Sequence, residues 1–118
     1  MVVTAHRVLV TLIVWGIVAQ FVLAGAGAFG ATSFSLHKTL GTALAAASLA
    51  ALALVAVGRA HLRLTALLAA LLVLQAILGR LGSDQEPWLG AVHGLNALAV
   101  MAAAGILTRR AWEAARAA

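Results

Sequence analysis

Four stretches of nearly unbroken apolar and small residues occupy most of the chain: 8–29, 36–57, 62–81 and 88–108. Each is long enough to cross a bilayer core, which takes about 20 helical residues. A backbone that crosses lipid without a sheet partner satisfies its N–H and C=O groups only as a helix. The segments between them, 30–35, 58–61 and 82–87, are short, so each helix is expected to run antiparallel to the next. The pattern therefore predicts an all-α protein: one transmembrane domain over 1–118, built as an up-down-up-down four-helix bundle. Pro87 suits the first turn of helix 4, and Asp84 and Glu86 lie near that positive helix end. Residues 109–118 are expected to continue as an interfacial helical tail, with Trp112 as its anchor. The small residues from Leu23 to Ala28 look like a signal-peptide end, but the apolar run is too long for one.

Composition narrows the function classes. Of 118 residues, 64% are hydrophobic and 9% charged, against roughly a quarter charged in soluble domains. Four spans use up the length, leaving no room for a nucleotide-binding fold or for loops carrying a catalytic triad. With no cysteine, disulfides, thiolate metal sites, iron–sulfur clusters and covalently attached haem are all excluded. The net charge of +5 comes from basic residues dispersed through apolar sequence; they form no basic stripe, so nucleic acid is not an expected partner. Their distribution speaks instead to orientation. Arg7, Arg59, Arg63, Arg109, Arg110 and Arg116 fall on one side, Lys38 and Arg80 on the other. The richer side is expected to be cytoplasmic, with both termini on it.

The two halves echo each other. Gln20-Phe21-Val22-Leu23-Ala24-Gly25 parallels Gln75-Ala76-Ile77-Leu78-Gly79, and Gln20 precedes His37 by 17 residues where Gln75 precedes His93 by 18. His37 and His93 both come early in helices 2 and 4, the diagonal partners of a square bundle. They therefore reach a similar depth near the outer face and can point at each other across the core. Gly41 and Ala97, one turn further along the same faces, leave volume beside the two imidazoles. Gly25, Gly27 and Gly79 thin the neighbouring helices, although small residues also serve close helix packing in membranes. This arrangement suits a flat, bis-imidazole-ligated haem, with Lys38 and Arg80 placed to meet its propionates. Residue types and spacing leave a second reading open, two solvated interfacial histidines and two snorkelling cations. A divalent-metal site is the weaker third, since two histidines without an in-span carboxylate leave zinc short of ligands. Gln20, Gln75 and Asn96 are in-span polar groups that need partners and read as interhelical hydrogen-bonding groups or as ligand contacts, a glutamine at the haem edge among them. His6 and His61 read as ordinary interfacial residues, with His6 preceding helix 1.

The segments Leu36-His37-Lys38-Thr39-Leu40-Gly41, Leu74-Gln75-Ala76-Ile77-Leu78-Gly79 and Val92-His93-Gly94-Leu95-Asn96 resemble the corresponding parts of one half of haem A synthase. Nearly the whole chain also resembles a family of small four-helix bacterial membrane proteins of unassigned function. The resemblance implies a four-helix bundle with haem-ligating histidines on helices 2 and 4, in the bacterial cytoplasmic membrane. It does not imply catalysis. Haem A synthase uses two halves, whereas this chain is a single half without an in-span carboxylate. A homodimer would restore two bundles, but no dimer face is visible in the sequence. The leading expectation is a lipid-embedded, b-type haem protein with one haem per chain, ligated by His37 and His93 and serving electron transfer or haem carriage. The alternative is a cofactor-free accessory or assembly subunit of a larger respiratory or transport complex.

Overall fold

The computed structural model describes residues 1–82 and 86–117. Asp84, expected near the start of helix 4, lies outside the described residues. Four α-helices account for nearly all of the rest: α1 (Val2–Ala28), α2 (Ser35–Gly58), α3 (Leu62–Leu81) and α4 (Pro87–Arg116). All four are long and apolar enough to cross a membrane. Each packs against its neighbours in sequence, and α1 closes the ring against α4. The bundle is 47 Å long and 24 × 19 Å across, more than the roughly 30 Å of a bilayer core.

The distribution of side chains is that of a body immersed in lipid. Large apolar residues such as Trp15, Val22, Leu95 and Leu98 face outward on all sides. Small residues are prominent in the interior, including Ser48, Ala51, Ala69, Ala103 and Ala104, around Val10, Ile13, Leu68 and Leu107. Lipid tails are as apolar as these side chains, so burial alone gives no drive to association. Close packing of small residues and hydrogen bonds between helices must supply it. Such close approach is visible at Gly16, where a Cβ would collide with the tip of Leu44, and where the backbones of Gly82 and Gly90 meet.

One helix boundary differs from the sequence expectation. Helix α1 begins at Val2 rather than at residue 8, so His6 does not precede the helix. It lies in the second turn and is only 2% exposed. Polar Thr4, His6 and Arg7 interrupt the apolar run, but His6 has a partner inside the bundle, the Thr65 hydroxyl of α3 at 3.1 Å. Thr65 sends its own hydrogen to the His61 carbonyl, so the His6 Nε2–H is the donor between them. At the other end the expected helical continuation past residue 108 is present, and α4 runs unbroken to Arg116. Ala111 continues the buried stripe of Ala104 and Leu107. Trp112 donates to the Thr11 hydroxyl at 3.0 Å and carries the Arg7 guanidinium 4.4 Å above its ring, which fastens this extension to α1. The turn between α2 and α3 is tight, and two non-glycine residues in it, Arg59 and His61, take left-handed backbone angles.

Candidate functional site

At the end of the bundle opposite His6, a cavity of about 1000 Å³ opens between the helices. Ligand pockets in proteins commonly span about 300–1,000 Å³. His37, His93, Gly41, Ala97, Gln20, Gln75, Lys38 and Arg80 all line it. Each of these eight residues was singled out from sequence, and the fold brings all of them to one cavity.

His37 sits in the first turn of α2, where Ser35 opens the helix just after Phe34. Its Nδ1 lies 3.2 Å from the carbonyl oxygen of Gln20 on α1. His93, in the second turn of α4, places its Nδ1 2.9 Å from the carbonyl oxygen of Gln75 on α3. A carbonyl can only accept, so in both rings Nδ1 carries the hydrogen and a neutral ring keeps its lone pair on Nε2. Ligating histidines are held in this way, with one ring nitrogen pinned by a backbone carbonyl and the other left basic. The two pairs occupy equivalent positions in the two halves, so the echo seen in sequence is also one of hydrogen bonding. It runs through the backbone of Gln20 and Gln75 rather than through their side chains.

The two rings face each other with centroids 6.2 Å apart and planes crossing at 71°. Phe34 stands edge-on to His37 at 6.1 Å, and the space its ring fills is the space a side chain at Gly27 would need. Gly79 does the same for His93: a Cβ there would lie 2.9 Å from Cε1 of the ring. Gly41 makes room for the Gln20 carboxamide, 2.6 Å from where its Cβ would be, so that volume serves the glutamine and not a ligand directly. Gly25 has nothing within 4 Å and thins no contact.

Beyond the rings the two halves diverge. The Gln75 carboxamide nitrogen lies 3.3 Å from His93 Nε2, while its oxygen accepts from Asn96 Nδ2 at 2.6 Å. Asn96 also donates to the Leu71 carbonyl at 3.0 Å. On the other side Gln20 Oε1 is buried without a hydrogen-bond partner among the described residues. Asn96, read from sequence as an interhelical hydrogen-bonding group, is one between α4 and α3. Phe34 was not expected at the site, and for a residue exposed at the end of a loop the sequence carries no comparable signal.

Among the described residues no cluster of three or more His, Asp or Glu side chains forms a polydentate metal site. The chemistry on offer is therefore that of two opposed imidazoles, two carboxamides and two cations at the rim of an apolar chamber. No curated protein and no solved structure matches the chain. Residues 20–81, from Gln20 through the whole of α2 and α3, match the profile of DUF6220, a family of unknown function, and the chain belongs to that family.

Proposed function

We propose that the chain is a b-type haem protein of the bacterial cytoplasmic membrane, holding one haem between His37 and His93. Its helices alternate up and down, both termini lie on the cytoplasmic side, and the haem lies toward the outer face. The six cations at one end against two at the other support this orientation. One observation carries the haem reading: the rings of His37 and His93, each pinned at Nδ1, face each other at 6.2 Å. A metal–imidazole bond of about 2 Å puts a ring centroid roughly 3 Å from the metal, so imidazoles on opposite sides of one iron have centroids roughly 6 Å apart. The chamber volume, and Gly79 behind the His93 ring, are in keeping with a flat macrocycle. Lys38 and Arg80, both exposed at the rim of the cavity, are the side chains that would meet its carboxylates.

A haem held by both His37 and His93 would supply one-electron transfer rather than dioxygen chemistry. The protein's part is to hold the rings in place, keep Nε2 basic through the Nδ1 bonds, and set a mostly apolar surrounding. The test is an absorption spectrum of the purified, dithionite-reduced protein. It should show the sharp bands of six-coordinate low-spin b haem, and His37→Ala and His93→Ala should each abolish them. A spectrum without those bands, or unchanged in both variants, refutes the assignment. In that case a cofactor-free accessory subunit, recovered with a larger membrane complex and indifferent to both substitutions, becomes the better account.

A further inference from the structure

We infer that the Gln75 carboxamide is a displaceable cap on His93, so that the two imidazoles engage iron in a fixed order, His37 first and His93 second. This rests on the haem reading above and concerns how that site is loaded. Because His93 Nδ1 donates to the Gln75 carbonyl, Nε2 is the ring's acceptor, and the Gln75 amide nitrogen at 3.3 Å is the donor to it. The amide cannot readily flip away. Its oxygen is held at 2.6 Å by Asn96, whose own position is set by the bond to the Leu71 carbonyl. Donor and acceptor roles thus run in one direction from α4 through α3 and back to His93. A nitrogen lone pair serves one donor or one metal at a time, so the capped and the iron-ligated states of His93 are mutually exclusive.

His37 has no such cap. Among the described residues its Nε2 makes no hydrogen bond, and the equivalent Gln20 carboxamide rests against Gly41. The reason lies in a single position: one turn after His93 stands Asn96, while one turn after His37 stands Leu40, which cannot hold a carboxamide. The duplicated helix pair carries two equivalent ligands and only one lock.

Stopped-flow mixing of the haem-free, full-length protein in detergent with haemin tests this order. Wild type should pass through a five-coordinate species before reaching the six-coordinate low-spin spectrum. His93→Ala should stop at that species with an unchanged first phase, and His37→Ala should slow the first phase. Gln75→Leu should speed the second phase about 3- to 10-fold, the scale of one net hydrogen bond, and Gln20→Leu should leave it unchanged. Asn96→Ala, which frees the carboxamide while keeping it in place, should speed the same phase by a smaller factor; damage to the bundle would slow both phases instead. A single phase insensitive to Gln75→Leu and Asn96→Ala, or a first phase that depends on His93, overturns the cap and leaves bis-histidine haem binding intact. Absence of any histidine-dependent haem spectrum removes both.

Discussion

Gly79→Ala is the smallest change that should disturb the site. The new Cβ would lie 2.9 Å from Cε1 and 3.2 Å from Nδ1 of His93, where ordinary contact begins at 3.4 Å. The imidazole is rigid, so the whole ring must retreat by about 0.5 Å. That motion acts on the 2.9 Å bond from Nδ1 to the Gln75 carbonyl, which would be stretched to the margin of hydrogen bonding. Losing such a bond costs about 0.5–1.5 kcal/mol, and inserting a methyl into packed space about 1–3 kcal/mol. Alanine returns about 1 kcal/mol of helix propensity, which leaves a net loss of fold stability of about 0.5–3.5 kcal/mol. Ligation gains nothing from propensity, so a mispositioned His93 should weaken haem binding by about 5- to 30-fold, the equivalent of about 1–2 kcal/mol. Haemin titration in detergent, followed by absorbance, measures this. Two other glycines calibrate it. Gly25→Ala meets nothing within 4 Å and should bind normally, while Gly41→Ala meets only the mobile end of Gln20 and should fall between. Binding by Gly79→Ala within twofold of wild type, or an equal loss in Gly25→Ala, would refute the reasoning.

Three further outcomes are expected. His6→Ala removes a buried ring and the bond it donates to Thr65; it should cost about 2–4 kcal/mol in thermal unfolding in detergent yet leave the haem spectrum unaltered, because His6 lies at the far end of the bundle. Leu68→Ala, at a fully buried position, should cost about 2–5 kcal/mol, whereas Leu95→Ala, 68% exposed toward lipid, should change the melting temperature by no more than a degree or two. Trp112→Phe keeps a ring under Arg7 but loses the bond to Thr11; it should cost about 1 kcal/mol and make the last turns of α4 more accessible to trypsin at Arg109 and Arg110, as limited proteolysis would show.

The four spans were legible because hydropathy over 20 residues is a strong signal and lipid permits no other backbone solution. Six polar residues of the cavity lining, His37, His93, Gln20, Gln75, Lys38 and Arg80, were legible because polar groups are so scarce that position along each helix nearly determines which ones share a level. The start of α1 was not. Whether Thr4, His6 and Arg7 belong to α1 depends on Thr65, some sixty residues away, and no local pattern reveals that partner. The partners of Trp112 on the helical continuation were likewise hidden, since Thr11 and Arg7 lie on α1 at the other end of the sequence. The role of the two glutamines was only half readable. Their side chains drew attention as in-span polar groups, but it is their carbonyls that orient the histidines, and a carbonyl is present at every residue.

The placement of the hydrogen bonds says something about how the two ends of the bundle differ. At the His6 end, polar contacts cross between hairpins: His6 of α1 reaches Thr65 of α3, Thr108 of α4 donates to the Val10 carbonyl of α1, and Trp112 joins Thr11. Around the cavity, each bond to His37 and His93 stays within one hairpin, α1 with α2 or α3 with α4. In a lipid environment such bonds and close packing are what hold helices together, so the two hairpins are tied firmly at one end. At the other end each hairpin presents its own fixed imidazole to the seam between them. A group bound to both rings would add a tie across that seam to the bonds made among the described residues, which is why the distance between the two rings, rather than either histidine alone, supports the proposed haem reading.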